Sequence, residues 1–263
     1  HIAKRIYPNT KGLKVIKKNV RFCMWGLVNP QPLKTMLNLL SCPAFKELLV
    51  RRPDMLEKPL KPYVCVNWTC SQRTQNLADH LHMMEAFFGE SAVQILSGES
   101  KPLLQFADRD GEIYKLKLFT GEVREGSLGL KLTNADGQHI YSVTFNLSAP
   151  NGVRTMHIGA LQGPSDKLSN RQDTIKLLTK ATHGLRTKAL MVEFALMFAK
   201  LFAIEEVQGV SNKGHIYQAL RYLVGSKGKA VSFNYDQLWQ EYGATAVDKY
   251  LFSIPLHPER KDP

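Results

Sequence analysis

Tyr141-Ser-Val-Thr-Phe-Asn-Leu147 decides the architecture: Tyr141, Val143, Phe145 and Leu147 alternate with Ser142, Thr144 and Asn146, the period of a strand with one apolar face. Upstream, the same period runs through Leu104 and Phe106, through Tyr114, Leu116 and Leu118, and through Leu128, Leu130 and Leu132. Downstream, Met156, Ile158 and Ala160 continue it. Short turn sequences at 108–111, 134–137 and 151–152, rich in Gly, Asn and Asp, separate consecutive strands, so sequence neighbours are expected to pair antiparallel. The expectation is an antiparallel meander covered on one side.

Gly163-Pro164 ends this texture, and a helical period takes over. Residues 169–182 read as a helix with a capping box of Ser169 and Gln172, Gly184 interrupts it, and a second helix runs to about Ile204. Residues 207–210 read as a strand, 215–224 as a short helix, and 230–233 and 250–254 as the last strands. A strand, a long helix and another strand in the same sheet form a crossover, which favours parallel pairing there. Residues 1–95 read mostly as helices. Pro30 and Pro32 break the first segment, 33–40 and 45–50 follow, and 67–88 carries Leu77, Leu81, Met84 and Phe88 at helical spacing before Gly89. The fold class is therefore α+β (mixed α/β), with a mainly helical region over 1–95 and a mixed-sheet region over 96–263, folded as one compact unit.

Hydrophobic residues make up 44% and charged residues 22%, a globular balance that excludes disordered and fibrous classes. The most apolar run, 189–204, is interrupted by Glu193 and Lys200 and falls short of the ~18 residues that span a bilayer, so it reads as a buried helix. The sequence begins at His1 with no charged-then-apolar leader after it; a start inside a longer gene product is expected. Cys23, Cys42, Cys65 and Cys70 show no regular framework and read as reduced thiols of a cytoplasmic protein, soluble or peripheral to the inner membrane. A net charge of +12 suits an anionic partner, either the phosphate of a cofactor or an acidic lipid. The densest basic cluster, Lys11, Lys14, Lys17, Lys18 and Arg21, has helical spacing; basic composition alone is too weak a signal to favour nucleic acid.

The crossover is where chemistry is expected. The strand ends in Gln162-Gly163, and His183-Gly-Leu-Arg-Thr-Lys188 heads the apolar helix. A helix start offers unpaired N–H groups, Gly184 lets a ligand approach the backbone, and Arg186 and Lys188 add charge suited to phosphate. Gln162, Gly163, Gly184, Arg186, Lys188 and Asn212 are thus the candidate cofactor-binding residues. His183, His215 and Asp236 are the candidates for proton transfer, with Glu241 as a further carboxylate. The competing reading is that Gly184 merely ends a helix with solvated bases beyond it. Cys65-x4-Cys70 with His80-x-His82 lacks the paired spacing of a zinc site, so no metal is expected. No Gly-x-Ser-x-Gly elbow, P-loop or Gly-x-Gly-x-x-Gly occurs, which lowers serine hydrolase, nucleotide hydrolase and dinucleotide oxidoreductase readings.

The order of elements resembles that of the GNAT acyltransferases, in which two parallel strands splay apart around the pantetheine arm of acyl-CoA. The chain departs from that pattern, because an extra helix separates the strand from the proposed phosphate seat. Residue by residue it more closely resembles the VirK/YbjX family. The matching stretches are Lys61-Pro-Tyr63, Glu125-Gly126, Tyr141-Ser-Val-Thr-Phe145, Ile158-Gly-Ala-Leu-Gln-Gly163, His183-Gly-Leu-Arg186, Gly209-Val-Ser-Asn212 with His215, and Tyr235-Asp-Gln-Leu-Trp239. Thr187 departs from it, standing where a proline is usual. The resemblance implies a Gram-negative protein associated with surface virulence factors and envelope defence, and it supplies no catalytic residues. Two functions are expected. One is a GNAT-like acyltransferase moving an acyl group from acyl-CoA or acyl carrier protein to an amine or hydroxyl, with a protein among the acceptors. The other is a non-catalytic binding protein supporting surface-protein or lipid handling.

Overall fold

The computed structural model describes residues 6–7, 12–108, 110–164, 171–182, 184–219 and 233–258. Proline at the first position of a helix costs nothing, because the N–H it lacks would have no intrahelical acceptor. Pro30 therefore both ends α1 (Leu13–Val28) and starts α2 (Pro30–Ser41). α3 (Lys46–Arg51) and two 3-10 turns, Pro53–Leu56 and Lys58–Leu60, lead to α4 (Cys70–Phe88). Thr69 and Gln72 cap α4 reciprocally, and Gly89 stops it at φ 52, an angle that favours glycine. α5 (Ser91–Leu96) completes the helical front. Among the described residues no helix is long and apolar enough to cross a membrane.

The meander follows. β1 (Lys101–Ala107), β2 (Ile113–Phe119), β3 (Leu128–Asn134), β4 (His139–Ser148) and β5 (Thr155–Gln162) each pair antiparallel with the next. α6 (Arg171–Ala181) and α7 (Thr187–Leu201) then lead to β6 (Glu206–Val210), which lies parallel to β5. After α8 (Tyr235–Glu241), β7 (Thr245–Ala246) and β8 (Leu251–Ile254) complete the order β1-β2-β3-β4-β5-β6-β8-β7. The helices-first order, the meander and the crossover are as the sequence leads one to expect. The final strands differ: β8 is partnered by Thr245–Ala246, whereas 230–232 lie outside the described residues and Phe233 precedes α8. The helix expected at 215–224 is described as far as the 3-10 turn Ile216–Gln218, and Ser169 of the expected capping box lies outside the described residues.

One expectation is corrected. The sheet is covered on both faces at its centre, so Ser142, Thr144, Asn146 and Ser148 are as buried as Val143, Phe145 and Leu147. Phe145 meets Phe198 of α7, ring centroids 5.3 Å apart, while Asn146 Nδ2 donates to the Asn76 carbonyl of α4 at 3.0 Å. Alternation reveals that a face is polar, not that it is wet. The helical front can bury such a face when its polar groups find partners.

Candidate functional site

β5 and β6 stay in register from Thr155↔Glu206 to Ile158↔Gly209. Beyond that β5 runs on to Gln162 beside β4, while β6 ends at Val210. Backbone groups at the end of β5 therefore face a gap, where a ligand is expected. α8 fills it. The Tyr235 hydroxyl accepts the Leu161 N–H at 3.2 Å, and Trp239 Nε1 donates to the Val210 carbonyl at 2.8 Å. Both rings are buried, and burial pushes the Tyr235 hydroxyl far above its usual range. Gly209 is required here because a Cβ would stand 2.5 Å from the Trp239 indole. Gly159 likewise admits the Glu125 carbonyl into the space a side chain would need.

The predicted residues attach to this plug. His215 stacks on Tyr235, ring centroids 5.4 Å apart at 20°, and its Nε2 lies 3.4 Å from Glu125 Oε1. Both His215 and Glu125 are buried. Asp236 Oδ1 accepts the Asn212 N–H at 2.7 Å, and Asn212 Oδ1 accepts the Tyr235 N–H at 2.7 Å, a reciprocal latch that holds the start of α8 on the end of β6. At the head of α7, Arg186 Nη2 donates to Glu241 Oε2 at 3.1 Å, and Lys188 Nζ lies 5.5 Å from the centre of the Phe233 ring. Gly184 takes φ 85 and donates its N–H to the Thr179 carbonyl at 2.8 Å, the closing bond of a helix stop. Gln162 is exposed and Gly163 half-buried, at the far lip on β5. His183 lies outside the described residues. The structure thus gathers Arg186, Lys188, Asn212, His215 and Asp236 around α8. As arranged, they do not fit a pantetheine arm: Tyr235 has taken the backbone N–H of the gap, and Glu241 faces the leading cation.

Of the residues weighed for zinc, His80 is buried and His82 exposed, opposite directions as a spacing of two on a helix dictates. All four cysteines are free thiols, and burial pushes Cys65 up to about 11.

Sequence reasoning missed a buried polar cluster under the polar face of β4. Lys58 Nζ donates to Ser127 Oγ at 2.7 Å and to the Gly126 carbonyl at 3.1 Å. The Tyr63 hydroxyl lies 2.5 Å from Ser127 Oγ and donates to Asn146 Oδ1 at 2.6 Å. Donors and acceptors therefore run in one direction from Lys58 through Ser127 and Tyr63 to Asn146 and on to Asn76. His80 Nδ1 accepts the Leu147 N–H at 3.1 Å. Burial, with Arg52 adding repulsion, lowers Lys58 to about 7, and burial with Lys58 nearby lowers His80 to about 3. A lysine near neutrality beside a hydroxyl is the makings of an activated nucleophile, but Ser127 is 1% exposed and its neighbours hold it in the core. Alongside, Ser148 Oγ and His157 Nε2 stand 2.7 Å apart, with the His157 ring edge-on to Trp68 at 5.0 Å. Tyr63 ends the Lys61-Pro-Tyr63 stretch, but no motif links it to Lys58, Ser127 or His80, because these residues meet only when the helical front docks on the sheet. The unbroken polar alternation of β4 was the available signal.

A family model described as "Protein of unknown function (DUF535)" matches residues 11–263. The "Uncharacterized protein YbjX" of Escherichia coli is 29% identical over 246 residues, covering 92% of this chain and 73% of the relative. An "Uncharacterized protein" of Haemophilus influenzae is 25% identical over 263 residues, covering 98% and 85%. The "Membrane protein LapB" of Mannheimia haemolytica is 24% identical over 218 residues, covering 80% and 90%. No solved structure matches. Of the stretches that carry the VirK/YbjX resemblance, those containing Glu125, Gly159, Gly209, His215 and Tyr235 meet at the plug between β5 and β6.

Proposed function

We propose that this chain, which belongs to the DUF535 family and with it to the VirK/YbjX proteins, is a non-catalytic binding protein handling a surface protein or lipid of the Gram-negative envelope. One observation carries the reading: the gap an acyl-CoA arm would need between β5 and β6 is filled by Tyr235, whose hydroxyl satisfies the Leu161 N–H. The pairing of Arg186 with Glu241 and the enclosure of His215 against Glu125 support it. A net charge of +12 supplies the attraction for an acidic partner. The name borne by the Mannheimia relative agrees with an envelope setting, and the four free thiols agree with work on the cytoplasmic side, peripheral to the inner membrane.

The acyltransferase reading has support of its own in the order of elements and in the parallel strands that part after Ile158 and Gly209. It requires Tyr235 to leave the gap before a donor enters. A thermal-shift titration with acyl-CoAs of several chain lengths and with acyl carrier protein, run beside a thiol-release assay, separates the two. Binding without catalysis predicts neither stabilisation nor thiol release. Stabilisation abolished by Arg186→Ala, or thiol release lost in His215→Ala, would hand the function to the transferase.

A further inference from the structure

Helix α1 is the part of the molecule whose surface makes least sense in water alone. Only Phe22 and Gly26 of its residues are buried. Leu13, Ile16, Val20, Met24 and Leu27 recur every three or four residues, so they share one face, and each is between 52% and 84% exposed. Together with Val28 they form an aliphatic stripe along the whole helix, unlike the scattered single apolar residues of ordinary surfaces. Lys14 and Lys17 are exposed beside it, and Arg21 lies over the Trp25 ring at 4.9 Å. Neither Asp nor Glu occurs anywhere in α1.

We propose that α1 is a peripheral membrane anchor, whose Leu13–Leu27 stripe enters the acyl-chain boundary of an anionic lipid leaflet while Lys14 and Lys17 meet the headgroup phosphates. Charge complementarity selects this occupant. An apolar stripe on a helix whose only charged residues are cations matches a surface that is hydrocarbon inside and anionic at its rim, the composition of interfacial helices. A second copy of the chain would bring another +12 and the same lysines to the same face, so self-pairing is opposed by repulsion. The stripe also lacks fixed hydrogen-bonding groups and large exposed aromatics, the anchors that a specific protein interface uses. Leu, Ile, Val and Met side chains suit a fluid partner that needs no register.

The inference deepens the binding reading and rests on it for its purpose, by naming the lipid surface on which the protein works; its geometry stands without that reading. The test is co-flotation of the full chain with vesicles of phosphatidylglycerol and phosphatidylethanolamine, against vesicles of phosphatidylcholine. Binding is expected to the first only, and to weaken as salt is raised. Ile16→Ser with Met24→Ser is expected to lower partitioning about tenfold or more, because the hydrocarbon contact is removed. Lys14→Glu with Lys17→Glu should abolish the preference for anionic lipid. Leu177→Ser, an exposed apolar residue on α6, should leave binding unchanged and control for general stickiness. Unaltered melting temperatures keep the comparison fair, since all these side chains face solvent.

Three results overturn the proposal: no flotation with anionic vesicles, flotation indifferent to the Ile16/Met24 pair, or a dimer in sedimentation that the same pair dissolves while vesicles are ignored. The last would assign the stripe to a second copy. Flotation together with thiol release from acyl-CoA would sink the non-catalytic reading and leave the anchor standing, so the two failures are distinguishable.

Discussion

Replacing His157 with glutamine is expected to make the protein more tolerant of acid. His157 is 5% exposed, its Nε2 is 2.7 Å from Ser148 Oγ, and its ring lies edge-on to Trp68. Burial pulls its pKa from 6.5 down to about 4, with the neighbouring Gln208 side chain opposing slightly. The unfolded chain therefore takes up a proton below pH 6.5, while the folded chain resists until about 4. Across that window the unfolded state holds more protons, so the stability contributed by neutral His157 is complete above pH 6.5 and is lost as pH falls toward 4. At 1.36 kcal/mol per unit, the full loss is about 3.4 kcal/mol, of which about 2.5 kcal/mol has gone by pH 4.5. Glutamine can still hydrogen-bond Ser148 and does not titrate. Urea unfolding of parent and variant at pH 7.5 and pH 4.5 gives the comparison, and a packing cost common to both pH values cancels in the double difference. His80, lowered to about 3, contributes equally in both proteins. The variant should lose about 2.5 kcal/mol less than the parent on acidification. Equal losses in the two proteins would refute the placement of a neutral imidazole under the helical front.

Lys58 gives the alkaline counterpart. It releases its proton near pH 7 when folded but near 10.5 when unfolded, so stability should rise by about 2 kcal/mol between pH 7 and pH 9. Urea unfolding of Lys58→Met should show that rise removed, and a variant as pH-dependent as the parent would contradict a buried, neutral Lys58. Tyr235→Phe strips the Leu161 N–H of its acceptor inside the plug and should cost about 1–3 kcal/mol in the same assay, whereas no measurable loss would mean that water reaches the gap. Gly159→Ala drives a methyl group into the Glu125 carbonyl, which is backbone and cannot swing aside, so thermal unfolding should show a loss of about 2 kcal/mol or more.

The seven stretches of the VirK/YbjX resemblance were legible because each is local, yet nothing in them states that His215 lies between the Glu125 carboxylate and the Tyr235 ring. His215 and Asp236 were singled out for proton transfer; the structure puts them beside the parting strands, where His215 stacks on Tyr235 and Asp236 holds the Asn212 N–H, contacts that depend on α8 returning from far along the chain. Arg186 looked free in sequence because Glu241, which pairs with it, is 55 positions away. The amphipathic pattern of α1 was visible only as a basic cluster, since exposure of its apolar stripe depends on what the rest of the chain leaves uncovered.

By itself, the sequence determined what short-range sterics and periodicity can determine: the helices at the front, the period-two strands with Gly/Asn/Asp turns, and the parallel crossover favoured by a long connecting helix. Only the tertiary structure decided that the polar face of β4 is dry, that Lys58 and His157 sit among buried partners, and that the gap beside β5 is closed. The physical reason is that burial and electrostatics depend on which distant segments come within a few ångströms. A pattern read along the chain fixes which way a side chain points, but not what it meets.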